Sequence, residues 1–234
     1  MSIAAPTTFQ RIQHAALEMF ALHGFESTGI RQVAERAGIP TSLLYHYSRS
    51  KGQLLRVLVE DGLRRLAEAD RHAVAMVPDP ASQLAALAAV HVFVHAENPQ
   101  MARLLETELR VLHGEDRSAV LELRDEIDSI WAAVLERGMR AGVIVVEDGA
   151  VTRLALIRMC NGVATWYSPA GRLDMVTLAR RFGELVLGAC RVNAEPVVDL
   201  VAVQHLVEGI HEGMPVAKPG HDFSPEDGAV RRTR

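Results

Sequence analysis

The chain has 234 residues and a net charge of −4; 49% of its residues are hydrophobic and only 5% are aromatic. Strong helix formers dominate and strand-favouring runs are scarce, so we expect an all-α fold with a large buried core. No apolar stretch is long enough for a membrane-spanning helix, and the first residues do not resemble a signal peptide. Two cysteines are too few for a disulfide framework. A cytoplasmic protein is therefore expected.

The charge is distributed unevenly along the chain. Residues 1–56 hold six Lys and Arg against three Asp and Glu, a net +3, whereas residues 57–234 hold 19 against 26, a net −7. A basic N-terminal region before an acidic remainder is typical of a protein that meets phosphate at one end only. Six bases in 56 residues also arise by chance, so the asymmetry alone is weak evidence.

The N-terminal region is predicted to contain four helices. Apolar residues at helical spacing place them over residues 7–23, 28–37, 40–45 and 51–76. Their predicted N-caps are Thr7 or Thr8, Thr28 and Ser50, and Gly24 and Gly38 are predicted helix ends.

Further helices are predicted over residues 80–97, 99–113, 116–141, 149–167, 173–192 and 197–212. The residues from Met214 onward are rich in Pro, Gly and charge, which predicts a disordered tail. We expect three regions: a DNA-binding domain over 1–52, a helical effector-binding and dimerisation domain over 53–213, and the tail over 214–234. The long fourth helix would join the two domains.

The second and third helices are predicted to form a helix-turn-helix. Two short helices are joined by residues 37–40, and such a turn lets one helix cross the DNA backbone while the next enters the major groove. Polar groups there could contact bases or phosphates. The predicted DNA-binding residues are Thr28, Arg31, Thr41, Ser42, Tyr45, His46 and Lys51. The alternatives are a core tyrosine at Tyr45, a solvated lysine at Lys51, and capping roles for Thr41 and Ser42.

Residues 28–51, with Phe20, Gly24 and Phe25 before them, resemble the N-terminal sequence of TetR-family repressors over about 45 residues. The resemblance implies an obligate homodimer, a palindromic operator and a small-molecule effector bound in the C-terminal body. Two positions depart from the family pattern. Leu43 stands where a small residue is usual, and Ser48 stands where a large apolar residue is usual.

Three polar residues on an apolar helix form the candidate effector site. Arg158, Asn161 and Thr165 are spaced to share one face of the helix predicted over 149–167. Their partners would be either a ligand or a second subunit. The segment from Asn161 through Trp166 to Gly171 resembles the TetR branch that is associated with lipid and steroid catabolism. This resemblance implies an amphipathic effector such as an acyl-CoA and adds Trp166 to the site.

One apolar stripe on the helix predicted over 173–192 is a candidate dimer surface. The stripe would pair with its symmetry mate in a four-helix interface. Its residues are Leu178, Phe182, Leu185, Val186 and Ala189. The alternative is an ordinary helix that packs within its own chain.

Other chemistry is not expected. His91 and His95 have metal-ligand spacing but no carboxylate or thiol at a suitable position, so no metal site and no cofactor are predicted. The chain carries no recognisable phosphate-binding loop or catalytic motif, so it is not expected to be an enzyme. The alternative functions are a helical protein that binds a lipid-like molecule, and a regulator of the same fold whose effector promotes DNA binding.

Overall fold

The computed structural model of the chain describes residues 6–107 and 111–211, and within these ranges it contains ten α-helices and no strand. The all-α prediction is confirmed. The helices are α1 (Thr8–His23), α2 (Ile30–Arg36), α3 (Thr41–Tyr47), α4 (Lys51–Ala75), α5 (Pro80–Glu97), α6 (Pro99–Thr107), α7 (Gly114–Arg140), α8 (Gly149–Asn161), α9 (Met175–Ala189) and α10 (Leu200–His211). The predicted tail over 214–234 lies outside the described residues.

Side-chain caps fix where several helices begin. The Thr7 hydroxyl accepts from the backbone N–H of Gln10, whose side chain accepts in return from the N–H of Thr7. Ser50 caps α4 by accepting from the N–H of Gln53, as predicted. The prediction that Thr28 caps the second helix is wrong, because α2 begins after Gly29.

Helices α1, α2 and α3 form a small N-terminal unit, which we call the head. Helix α1 packs against α2 and α4, and α2 packs against α3. Ile12, Phe20, Val33 and Leu44 are almost completely buried among these helices. Burial of such large apolar side chains is the main source of stability for a unit of this size.

Helix α5 forms the centre of the larger helical unit, which we call the body. All residues from Ala81 to His95 are buried, and the helix packs against α4, α7, α8, α9 and α10. A helix that is apolar on every side must be enclosed by others. Its many alanines leave little side-chain volume between α5 and its neighbours.

Two predicted boundaries in the body are wrong. The helix predicted over 149–167 ends at Asn161 and continues as a 3-10 turn over Gly162–Thr165, since Asn and Gly are poor helix formers. The helix predicted over 99–113 is described as far as Thr107, and Leu112 and His113 lie outside any helix. Among the described residues, no helix combines the length and the hydropathy needed to cross a membrane.

Candidate DNA-binding surface and effector domain

The turn between α2 and α3 is held from two sides. Gly38 adopts a φ of 65°, in the left-handed region that favours glycine. The Arg11 guanidinium of α1 donates to the carbonyls of Ala37 and Gly38 at 2.6 and 2.9 Å. The N–H of Ile39 also bonds back to Ala34 of α2. These contacts fix the direction in which α3 leaves the turn, as a helix-turn-helix requires.

Helix α3 is anchored by one side and open on the other. On the anchored side of α3, the Leu44 side chain is completely buried, and the Tyr47 ring stacks on Phe9 of α1 with 5.9 Å between ring centroids. Ser48, which departs from the family pattern, is buried, and its hydroxyl is satisfied because it donates to the carbonyl of Ser50. A short helix held in this way presents its opposite face rigidly to solvent.

The exposed face of α3 contains most of the predicted base-contacting residues. Ser42 and His46 are exposed, Tyr45 is 49% exposed, and Thr41 is partly exposed. Hydroxyl and imidazole groups on such a face can donate to and accept from base edges or phosphates. Arg31 is also exposed, on the adjacent helix α2.

Thr28 does not fit its predicted contact with DNA. The residue is 1% exposed, and its hydroxyl lies 2.8 Å from the carbonyl of Gly24 and 3.1 Å from that of Met19. It therefore ties the end of α1 to the start of α2. A hydroxyl enclosed in this way cannot reach a phosphate, so the prediction of a direct contact is wrong.

Lys51 has a structural role in addition to the predicted one. Its ammonium donates to the carbonyls of Phe25 and Glu26, at 2.7 and 3.2 Å, and lies 4.2 Å from the centroid of the Phe25 ring. These contacts join the start of α4 to the loop between α1 and α2. An ammonium has three N–H donors, and two of them are used here. The third could still donate to a DNA phosphate, and that contact stays a prediction.

The body contains a largely buried polar network that joins four helices. His91 of α5 lies 3.1 Å from the Asp70 carboxylate of α4 and 2.8 Å from the Asn161 amide oxygen of α8. The Trp131 indole of α7 lies 3.2 Å from the same His91 Nε2 that faces Asp70. One ring nitrogen cannot donate to Asp70 and accept from Trp131 at once, so one of these two bonds excludes the other.

The electrostatics of the Asp70–His91 pair favour keeping a proton within it. Burial raises the pKa of the Asp70 carboxyl, although His91 acts in the opposite direction. Burial also disfavours a charged His91, but Asp70 outweighs this effect and holds the pKa of His91 above its ordinary value. His91 is then the donor to Asp70, and one oxygen of this buried carboxylate, Oδ1, remains without a hydrogen-bond partner.

His95 is a neutral neighbour of this network. Burial and the proximity of His91 lower the pKa of His95 to about 3. The two imidazoles stack one helical turn apart, with 5.7 Å between centroids. No group of three or more His, Cys, Asp or Glu side chains that could hold a metal ion occurs in the part of the chain that the structure describes.

The structure separates the four predicted effector residues. Asn161 points inward to His91, whereas Arg158 and Thr165 are exposed. Trp166 is 57% exposed and stacks on Phe182. The prediction that the three polar residues share one face is wrong, because the 3-10 turn after Asn161 changes the helical phase. Contact of these four residues with an effector stays a prediction.

The predicted dimer stripe on α9 divides into two parts. Leu178, Phe182 and Val186 are at most 7% exposed and pack within the chain, where α9 lies against α5. Their predicted place on a dimer surface is wrong, and the alternative of an internal helix applies to this face. Leu185, at 56%, and Ala189 remain exposed on the other face.

Sequence reasoning missed the role of Asp70, His91, Trp131 and Asn161 as one network. Each lies on a different helix, so their sequence spacing carries no information about contact. The available signal was the presence of Asp70 and His91 at positions where the helical pattern calls for apolar residues.

The exposed, rigidly held face of α3 and the separate body define a DNA-binding transcriptional regulator. Residues 12–58 match the model of the tetR family of bacterial regulatory proteins, and residues 77–190 match the tetracyclin repressor-like C-terminal domain. These two matches cover more than half of the chain. The protein belongs to the TetR family, whose members are transcriptional regulators and not enzymes.

Several characterised proteins are similar to the chain along most of its length. It is 28% identical to the transcriptional repressor KstR2 of Rhodococcus jostii, over 74% of this chain and 85% of KstR2. It is 24% identical to the fatty acid metabolism regulator of Bacillus subtilis, over 76% of this chain and 93% of that protein. The crystal structure of AibR with isovaleryl coenzyme A and operator DNA shares the fold, with a TM-score of 0.69, 19% identity and coverage of 78% and 97%.

Proposed function

We propose that the protein is a repressor that binds a palindromic operator as a homodimer and leaves it when a small amphipathic effector binds the body. The observation that carries the proposal is the exposed face of α3, with Ser42, Tyr45 and His46 open to solvent while Leu44 fixes the helix from below. The similarity to the KstR2 repressor supports the repressor role.

An exposed apolar surface on α8 and α9 supports the homodimer. Val151 and Leu154 on α8 are 63% and 55% exposed, and Leu185 on α9 is 56% exposed. Gly188 and Ala189 beside Leu185 are small, which allows helices to approach closely. We propose that this surface, and not the buried stripe, pairs with a second copy of the chain.

The dimer surface can be tested by introducing one charge. Leu185→Glu places a carboxylate where the two copies would meet, so the variant should sediment as a monomer at concentrations where the wild type is dimeric. Leu121→Glu on α7 is a matched control, because Leu121 is 42% exposed and lies on another helix. If both variants remain dimeric, the proposed surface is not the interface.

An acyl-CoA is the effector that we propose first. The support is the similarity to a fatty acid metabolism regulator and the fold shared with AibR, which was crystallised with isovaleryl coenzyme A. The effector would bind two conformations of the dimer unequally and shift the population toward the one that releases DNA. Movement of the long helix α4, which joins head and body, would then change the separation of the two α3 helices.

In the experiment, the DNA upstream of the protein's own gene is titrated with the purified protein to measure its affinity. The titration is repeated at several salt concentrations, with and without a panel of acyl-CoAs. Tight and sequence-selective binding that one acyl-CoA abolishes is the expected result. Tight binding that every acyl-CoA leaves unchanged would reject the effector and keep the regulator. Binding that an acyl-CoA strengthens would identify a co-repressed regulator. If neither this DNA nor DNA selected from random sequence is bound selectively, the proposal is wrong.

A further inference from the structure

Leu43 is an apolar side chain on the exposed face of α3. It is 37% exposed, whereas Leu44, the next residue, is completely buried. Within α3, all of whose residues the structure describes, Leu43 is the one aliphatic side chain that is exposed. The other exposed residues of this helix carry a hydroxyl or an imidazole, and they are Ser42, Tyr45, His46 and Tyr47. One apolar group therefore stands among polar groups on the surface proposed to meet DNA.

The geometry of α3 places Leu43 beside a residue that is predicted to contact bases. Successive residues of an α-helix are about 100° apart around its axis, so residues 42 and 46 lie opposite the buried Leu44. Leu43 lies at the edge of that face, one turn before His46. The helix itself is fixed, because Leu44 is buried and the Tyr47 ring stacks on Phe9. The place of Leu43 on a docked DNA duplex is therefore as well defined as that of His46.

The fold leaves part of the Leu43 side chain in water. Single exposed leucines are common on protein surfaces and alone indicate no function. Leu43 differs from most of them because DNA that docks on α3 would remove this apolar surface from water. The chemical groups that DNA presents at this place then decide whether the contact is favourable.

The major groove offers one apolar group that suits a leucine. Base edges there present hydrogen-bond donors and acceptors, and thymine adds its C5 methyl group. A leucine against an amino or carbonyl group displaces water without replacing the lost hydrogen bond, which is unfavourable. A leucine against the methyl group removes two apolar surfaces from water together, which is favourable. Such a contact distinguishes thymine from cytosine, whose C5 carries only hydrogen.

We propose that Leu43 determines specificity by packing on the C5 methyl group of one thymine in each half-site of the operator. The proposal rests on the proposed function, and it adds an apolar contact and the base that this contact selects. The contact depends on one methyl group, which can be removed from DNA without changing a base pair or any hydrogen-bonding group.

The test removes the methyl group from the DNA and the leucine from the protein. The wild type first selects its operator from random DNA. Each thymine of the half-site is then replaced in turn by deoxyuridine, which lacks only the methyl group, in both half-sites together. We expect one position at which this replacement weakens wild-type binding about fifteenfold, which is about fourfold for each methyl group that leaves the contact. In Leu43→Ala, the same replacement should change the affinity by less than about twofold.

Leu22→Ala is the matched control. Leu22 is 48% exposed and belongs to the head, but it lies on α1 and not on α3. This variant should respond to deoxyuridine at every position as the wild type does. For each protein the two duplexes are compared as a ratio of affinities, so a change in the fraction of folded protein does not affect the result.

A second pair of duplexes presents the methyl group on a different base. One carries cytosine at the position that responds to deoxyuridine, and the other carries 5-methylcytosine there. The added methyl group should strengthen binding by the wild type and by Leu22→Ala, and it should leave binding by Leu43→Ala unchanged. This pair separates recognition of the methyl group from recognition of the hydrogen-bonding groups of thymine.

Two results would overturn the proposed contact. One is a selected half-site that contains no thymine, or in which no thymine responds to deoxyuridine. The other is an equal response of the wild type and Leu43→Ala, which would assign the methyl group to another residue. Failure of the proposed function is a different observation, because the wild type would then select no common sequence from random DNA, before any variant or modified base is used.

Discussion

The polar groups of the head and of the body are arranged in opposite ways. In the head, the structural polar groups are paired, as Thr28 and Lys51 are, while Tyr45 and His46 are exposed on a fixed helix. In the body, polar groups are buried, and Asp70 Oδ1 and Asn98 Nδ2 have no partner. A surface that binds DNA can be complete before its partner arrives. Unpaired buried groups in the body cost stability, because each has lost its hydrogen bonds to water without gaining another partner.

The largest expected effect concerns the buried pair in the body. Asp70→Ala leaves His91 without its carboxylate partner, and breaking a buried ion pair typically costs about 3–5 kcal/mol. Urea unfolding should show this loss, and Asp70→Asn should lose less because an amide can still accept from His91. If Asp70→Ala is as stable as the wild type, the network does not hold the four helices together.

A second effect in the body depends on pH. Burial and the nearby Glu208 raise the pKa of Glu97 to about 7 from 4.5, so the folded chain favours the protonated form. Stability from this group is present at low pH and is lost as pH rises from about 4.5 through 7. Glu97→Gln should therefore be more stable than the wild type by about 1–2 kcal/mol at pH 8 and no more stable at pH 4.5. A stability difference that does not vary with pH would contradict this assignment.

The head should show a separation between stability and DNA affinity. Thr28→Val removes a buried hydroxyl whose single proton is donated to the carbonyl of Gly24 or of Met19, and should lower the free energy of unfolding by about 1 kcal/mol. The operator affinity of the folded variant should change little. Tyr45→Phe is the converse control: it should weaken binding to all DNA sequences without lowering stability. If Thr28→Val lowered operator affinity without lowering stability, a direct contact of Thr28 with DNA would have to be accepted in spite of its burial.

The smallest effect is expected at Lys51, where both roles meet. Lys51→Ala should weaken DNA binding at all sequences and reduce the salt dependence of log affinity by about one unit, if its third donor binds a phosphate. It should also lower the thermal stability of the head, because two loop carbonyls lose their donor. A loss of stability with an unchanged salt slope would leave Lys51 with the structural role only.

The sequence predicted the head better than the body because the determinants of the head are local. Caps such as Thr7 and Ser50 act within four residues, and Gly38 fixes a turn between adjacent helices. A residue type at a given spacing therefore carried most of the information. Even there, the burial of Thr28 depended on the packing of α1 against α2, which spacing alone does not show.

The body depends on contacts between distant parts of the chain. The partner of His91 on α4 is 21 residues away and its partner on α8 is 70 residues away. The apolar pattern of α9 showed two candidate faces, but only the position of α5 decides which of them is buried. Because α8 ends at Asn161 and not at residue 167, Thr165 no longer shares a helical face with Arg158 and Asn161. Contacts of this kind leave no periodic pattern in a single sequence, so they could not be predicted from it.

The central claim is that α3 of each subunit contacts one half of a symmetric operator. Selection of bound sequences from random DNA, performed with the wild type and with His46→Ala, tests it most directly. We expect an inverted repeat whose half-sites are centred about one helical turn apart, roughly 34 Å, and the variant should lose base preference at equivalent positions of both half-sites. Selection of no common sequence, or of an identical sequence by both proteins, would contradict the assignment of α3 as the helix that determines specificity.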